Sequence, residues 1–346
     1  MDFTPVSDVG EFGLIERLRD TLGVPDAPGL LAGIGDDAAV YRAGDGRAHV
    51  LTTDLLVEGV HFDRTYTPLR YLGWKALVAS VSDVAAMNAE PRYATVALGL
   101  PNNVSVEQLE ALYAGMADAA ERYGFAVVGG DTTAAARLLV SVTLVGEAVE
   151  DSVVYRSGAR PGDLLCVTGD LGSAAAGLRI LLAGKKAHEA GGDGESEPGA
   201  QPDLREFAYV VERHLYPQAR LDRVRTWRER GVQPHALIDI SDGLASEVHH
   251  LCRASGTGAI VEGGLLPMHL QTVLAAEQHG EAPEDLALYG GEDYELLFAI
   301  SEAQAALLED DTFAVVGQVV EAEEGVTLRK PDGTVEALEA RGFRHF

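Results

Sequence analysis

HALIDISDGLASE, residues 235–247, carries a short β-branched run into a helix-like stretch through a serine–aspartate–glycine turn, and leaves two carboxylates, Asp239 and Asp242, at the junction. Acid-bearing turns at the ends of apolar runs recur along the chain: Asp37 in GIGDDAAV, Asp54 in LTTDLLVEGVHF, Asp83 in ASVSDVAAM and Asp131 in VVGGDTT. Carboxylates at the mouths of buried strands repel one another and lose hydration unless a cation lies among them. Oxygen donors without histidine or cysteine suit a hard ion, Mg²⁺ above all, and Mg²⁺ in such surroundings commonly also holds a phosphate. Ser241 or Asp242 is placed to cap the helix that begins near Gly243, which accounts for one acid of that pair and leaves the other to a cation.

Outward from this stretch, strand and helix patterns alternate. Residues 11–22 read as a short amphipathic helix, and VLTTDLLV and YATVALGL as strands. Between those strands, PLRYLGWKALVASVSDVAAM opens with proline and spaces Leu69, Leu72, Leu77, Val81 and Val84 along one helical face. Asp83 falls near the C-terminal end of that helix, the unfavourable dipole end for an acid unless a cation is close. VSVEQLEALYAGMADAAERYG is a second helix, FAVV a strand leading to the turn GGDTT, and RLLVSVTLVGEAV a long strand. After the turn-rich SVVYRSGARPGD come strand DLLCVTG and helix LGSAAAGLRILLAG, ending at Gly184. Residues 184–203 read as a flexible acidic insertion. Helices around 204–214 and 219–230 follow, and GGEDYELLFAI and TFAVVGQVV supply further strands. The alternation predicts two α/β domains, residues 1–150 and 151–346.

The bulk properties narrow the function. The chain has 346 residues and is 47% apolar, enough for two buried cores. No run approaches the roughly 18 apolar residues of a membrane helix. The start, MDFTPVSDVGEFGLIERL, carries acids where a signal peptide carries bases, so a cytoplasmic location is expected. Cys166 and Cys252 lie in apolar contexts and read as reduced core residues. Fifty-four acids against 27 bases give a formal charge of −27, which argues against a nucleic-acid partner. That charge also repels a free nucleotide, so a divalent cation is needed locally to reverse the field.

Familiar alternatives fail on chemistry. GIGDDA matches G-x-G-x-x-A at Gly33, Gly35 and Ala38, but two carboxylates would occupy the place of the pyrophosphate. GKK at 184–186 lacks the serine or threonine and the upstream glycine of a phosphate-binding loop, and no G-x-S-x-G supports a serine hydrolase. His249 and His250 are adjacent and diverge on a helix. By contrast, Gly129 and Gly130 before Asp131 permit close approach of a phosphate. Arg156, in a chain poor in bases, is a candidate phosphate clamp. His61 in EGVHF and Glu292 in GGEDYE are further polar candidates.

Taken in order, GIGDDAAV, TTDLLVEGVHF, LVASVSDVAAMNAEP, VVGGDTT, YRSGARPGD, DISDGLASE, GGEDYEL and the terminal RGFRHF closely resemble the thiamine-monophosphate kinases. GDDAA, GGD and SDG are shared with aminoimidazole ribonucleotide synthetase, selenophosphate synthetase and a hydrogenase-maturation protein; TTD–EGVHF with DISDGL and GGEDYEL is more specific. The resemblance implies a two-domain α/β (α+β) fold like that of aminoimidazole ribonucleotide synthetase. Its N-terminal domain would form a shared β-barrel in a homodimer, and its C-terminal α/β domain would close over the nucleotide. It implies ATP and thiamine monophosphate as ligands, with several Mg²⁺ held by Asp37, Thr52, Thr53, Asp54, Asp83, Asp131, Asp239 and Asp242. Tyr113, Gly130, Asp131, Arg156 and Ser241 would contact ATP, and His61 and Glu292 would face thiamine monophosphate. Some members place an aromatic ring just before the terminal G-[FY]-x-H-F; the residue at that position here is Ala340. A synthetase of the same superfamily, or a non-catalytic nucleotide-binding scaffold, is the alternative reading.

Overall fold

The computed structural model describes residues 4–23, 27–190, 204–308 and 313–342. After helix α1 (Gly10–Leu22), a six-stranded sheet forms from β1 (Leu30–Ala32), β2 (Ala39–Gly44), β3 (Arg47–Val57), β4 (Glu90–Leu100), β5 (Ala126–Ala134) and β6 (Leu139–Val149). Its order is β1-β2-β3-β6-β4-β5, antiparallel except for β4 with β5. Helices α2 (Leu69–Ala86) and α3 (Val106–Tyr123) cover one face.

The second sheet contains β7 (Leu164–Thr168), β8 (Ala236–Ile240), β9 (Gly258–Glu262), β10 (Glu295–Ile300), β11 (Phe313–Val320), β12 (Val326–Arg329) and β13 (Val335–Ala337). Its order, β13-β12-β9-β11-β7-β10-β8, again has one parallel pair, β9 with β12. The helices of this half are α4 (Ser173–Ala190), α5 (Ala208–Leu215), α6 (Leu221–Glu229), α7 (Leu244–Ser255), α8 (Leu270–His279), α9 (Pro283–Tyr289) and α10 (Glu302–Ala305). Cys166 and Cys252 are free and buried, as expected of core thiols.

Four local expectations are corrected. First, α2 is not apolar on one face alone: it is buried on nearly all sides, Lys75, Ser80 and Ser82 included. The second half of the chain covers what would otherwise be its outer face, with Trp74 Nε1 donating to the Pro217 carbonyl at 2.6 Å and its ring stacked 3.9 Å from that of Tyr216. Second, GGDTT is not a turn but the continuation of edge strand β5. Gly130 lets β5 lie against β4, because a Cβ on it would stand 1.8 Å from the Val96 carbonyl oxygen. Third, α4 runs past Gly184 to Ala190, so part of the expected insertion is helical; residues 191–203 lie outside the described residues. Fourth, the N-cap of α7 is Gly243, with no side-chain cap hydrogen bond from Ser241 or Asp242.

Helices α2 and α3 touch through glycines. A Cβ on Gly73 would lie 1.9 Å from the Leu112 carbonyl oxygen, and one on Gly115 would lie 1.8 Å from that of Arg70. Gly115→Leu must therefore push the two helices apart. A loss of about 3 kcal/mol is expected, seen as a lower urea midpoint. An unchanged midpoint would show that the helices do not pack backbone to backbone.

Candidate active site

The first acids come from β3. Side chains alternate along a strand, so Thr52 and Asp54 face α2 while Thr53 faces away. Thr52 Oγ1 donates to Asp83 Oδ2, and Ser80 Oγ donates to Asp54 Oδ2 at 2.5 Å, both acceptors meeting groups from across the β3–α2 interface. Ser82 of α2 reaches into the other half and donates to Asp239 Oδ2, at the end of β8, at 2.7 Å. The loop before β2 brings Asp37. Oxygens of Asp37, Asp83 and Asp239, three residues far apart in the chain, all lie within 4.8 Å of one another.

Arg156 closes one side, its Nε and Nη2 donating to Asp37 Oδ1 at 3.1 and 2.5 Å. Its backbone N–H donates to Asp36 at 3.3 Å. Asp37 Oδ2 is buried without a hydrogen-bond partner. Loss of hydration is the largest influence on these acids. It pushes Asp239 up to about 8, with Asp37 adding to the shift, and Asp36 up to about 7. Asp83 is driven well above the usual carboxylate range by burial and then by repulsion from Asp54, Asp239 and Asp37. Burial also raises Asp54 and Asp37, against Ser80 in one case and Arg156 in the other. Glu247 is raised by burial and by Asp242, whose backbone N–H it accepts at 2.9 Å. Clustered, dehydrated carboxylates with an open oxygen lone pair fit a hard divalent cation.

The other predicted residues are distributed as follows. Ser241 and Asp242 follow β8, and the Ser241 carbonyl accepts from Glu292 N–H at 2.7 Å. Gly342, near the C-terminal end, donates to Ser246 Oγ at 3.2 Å, so the segment after Ala340 runs over α7 beside Asp242; residues 343–346 of the terminal motif lie outside the described residues. His61 Nδ1 accepts from Val57 N–H at 2.9 Å, which fixes its ring beside the end of β3. Tyr113 is exposed on α3.

The structure does not bring the Thr53 and Asp131 side chains to the three-acid cluster. Thr53 Oγ1 donates to the Val142 carbonyl at 3.0 Å on the opposite sheet face. Gly130 shares a cross-strand row with Asp54 through Val142 and Val96, three strands away, or about 14 Å at ordinary strand spacing. Asp131 is in register with Ala97, Ser141 and Leu55, on the open face.

Several groups escaped the sequence reading. Ser80 and Ser82 were hidden in an apolar helix pattern, although their spacing with Asp83 was a usable signal. Tyr294 is buried with its phenol raised well above normal by burial and by Glu292, Asp54, Asp239 and Asp83. Lys75 Nζ lies 2.7 Å from Glu292 Oε1. Glu295 accepts from Arg213, Arg220 and Thr168 directly beneath the site.

With this geometry in place, the comparisons with known proteins are direct. Residues 35–148 match the AIR synthase related protein N-terminal domain, and residues 160–329 match the corresponding C-terminal domain. The chain is therefore a two-domain protein of the AIR synthase related class. A thiamine-monophosphate kinase of Aquifex aeolicus is 37% identical over 99% of both chains. Those of Bacillus subtilis and Escherichia coli K12 are 35% and 34% identical, covering 91% and 97% of this chain and 93% and 98% of theirs. The solved structure of AaThiL complexed with AMPPCP and TMP superposes with a TM-score of 0.83 at 35% identity, covering 100% of each chain. Within its class, the chain belongs to the thiamine-monophosphate kinase family. Escherichia coli HypE, a hydrogenase maturation protein, shares the fold alone, with a TM-score of 0.64 at 23% identity over 91% of this chain and 93% of that one. No helix among the described residues is long and apolar enough to cross a membrane.

Proposed function

We propose that this chain transfers the terminal phosphate of ATP to the phosphate of thiamine monophosphate, releasing thiamine diphosphate and ADP. An acceptor oxygen forms a bond to the γ-phosphorus as the β–γ bridging bond breaks. The acceptor is already ionised, so no side chain is assigned a proton transfer. The convergence of Asp37, Asp83 and Asp239 beside Arg156 carries this reading, supported by the family to which the chain belongs.

In this reading Asp37, Thr52, Asp54, Asp83, Asp239 and Asp242 would hold Mg²⁺. When bound, Mg²⁺ would neutralise and align the two anionic reactants and offset charge on the transferred group. Arg156 is held by Asp37 at the edge of the cluster, where a guanidinium suits phosphate oxygens. Gly130 and Ser241 would present backbone and hydroxyl to ATP, and Tyr113 would meet the adenine. His61 and Glu292 would face thiamine monophosphate.

Our proposal includes a homodimer. The open face of the first sheet exposes Leu51, Leu55 and Tyr93, which a second copy would cover. Thr53 and Asp131 lie on that face, and we assign their contribution to the metal and nucleotide sites to action across the subunit boundary. The decisive experiment incubates the protein with ATP, Mg²⁺ and thiamine monophosphate and assays thiamine diphosphate. Free thiamine and aminoimidazole precursors serve as controls. Turnover of a control in place of thiamine monophosphate would refute the assignment.

A further inference from the structure

Glu292 is held differently from Asp83 and Asp239. Those two face other acids, whereas Glu292 faces two nitrogen groups from separate helices. Lys75 Nζ of α2 lies 2.7 Å from its Oε1, and His214 Nδ1 of α5 lies 3.3 Å from its Oε2. Burial alone would raise this carboxyl, but Lys75 and then His214 outweigh it and hold it at about 2. His214 is itself lowered by burial and by Lys75, with Glu292 acting in the opposite sense.

The backbone around Glu292 is equally committed. Glu292 has φ 69° and Tyr294 φ 52°, left-handed values that side chains other than glycine adopt at a cost. Two hydrogen bonds pin the loop in this form: Glu292 N–H to the Ser241 carbonyl at 2.7 Å, and Tyr294 N–H to the Ile240 carbonyl at 2.9 Å. The loop is thus tied to the end of β8, next to Asp239.

Exposure separates this ion pair from a purely structural one. The Lys75 side chain is 3% exposed, whereas that of Glu292 is 26% exposed. Glu295, three residues on, is 0% exposed, and its oxygens are filled by two arginines and a threonine. A buried lysine is costly without a partner. Here the partner stays partly exposed, on a loop tied to the end of β8. Glu292 is therefore a carboxylate beside the acid cluster that is paired with the protein's own base.

Resting on the function proposed above, we infer that Lys75 and His214 are positioning residues for Glu292, keeping its carboxylate charged and aimed at the cationic, amine-bearing half of thiamine monophosphate. A thiazolium carries a permanent positive charge and an aminopyrimidine carries an N–H donor, and both are complementary to a fixed carboxylate. Lys75 belongs to the first half of the chain and Glu292 to the second. The contact therefore also registers the two halves on the substrate side.

The test compares Lys75→Met, Lys75→Arg, His214→Leu, Glu292→Gln and the Lys75→Met/Glu292→Gln pair in the full-length protein. Lys75→Met should raise KM for thiamine monophosphate about tenfold or more, with KM for ATP nearly unchanged. Lys75→Arg should recover most of that loss, and His214→Leu should show a smaller effect of the same kind. The double variant should be no worse than Glu292→Gln alone, since Lys75 acts through Glu292. Equal rises in both KM values, or additive effects in the double variant, would overturn the inference by marking a merely structural pair. Glu292→Gln keeps the side-chain shape and provides the readout if Lys75→Met does not fold. If wild type makes no thiamine diphosphate, the functional reading fails and takes the inference with it. If wild type turns over while Lys75→Met leaves the thiamine monophosphate KM unmoved, the inference alone fails.

Discussion

Asp83→Asn is expected to lower kcat by about 10³-fold or more while making the metal-free protein more stable. Both effects have one source. Asp83 stands among Asp37, Asp54 and Asp239, and its carboxyl is raised by lost hydration and by their charges. An amide removes the repulsion and keeps the shape, so a gain of at least about 1 kcal/mol is expected at pH 8 without metal. The pH dependence follows from the same groups. Burial and the charge of Asp37 push Asp239 up to about 8 in the folded chain, so the folded state binds its proton more tightly than the unfolded state. That contribution is present at low pH and is lost as pH rises from about 4 to about 8. Glu292, held at about 2, acts in the opposite sense only as pH falls below its ordinary 4.5. Metal-free wild type should therefore lose stability between about pH 5 and 8, and Mg²⁺ should flatten the trend by favouring the ionised acids. Thermal unfolding with and without Mg²⁺ checks this. A variant with wild-type turnover, or one whose metal-free form is less stable at pH 8, would contradict the assigned role.

Glu295→Ala should unfold more easily by about 3–5 kcal/mol. Glu295 begins β10, between β7 and β8, and its carboxylate is wholly buried. It accepts from Arg213 Nη2 at 2.9 Å, Arg220 Nε at 2.6 Å and Thr168 Oγ1 at 2.7 Å. Truncation would leave two guanidinium groups facing each other in a low-dielectric pocket. Both arginines are raised by Glu295 against the opposing effect of burial. Urea unfolding of Glu295→Ala and of Glu295→Gln measures the loss, the amide being the milder change because it keeps the volume. A loss below about 1 kcal/mol in both would mean that the arginines are re-solvated or re-paired.

The acids of the cluster were legible because they end apolar runs. Asp37, Asp54, Asp83 and Asp239 stood out for that reason, and three of them converge as an oxygen cluster. Lys75 was not legible. On α2 it looks like the polar side of an amphipathic helix, and only the packing of residues from the second half converts that side into an interior. The capping assignment at Ser241 or Asp242 failed because Gly243 takes the N-cap position. GGDTT looked like a turn because adjacent glycines usually make one, yet here Gly130 lets an edge strand lie close to β4.

From the order of residues alone came the acids, their oxygen-only chemistry, the two α/β halves and the family resemblance, since each depends on local pattern or short motifs. The tertiary structure decided which acids meet, which face Thr53 and Asp131 occupy, and that Glu292 rather than an aspartate receives the buried lysine. These depend on strand register and on one half of the chain covering the other, contacts between residues well separated in the sequence that no local pattern encodes.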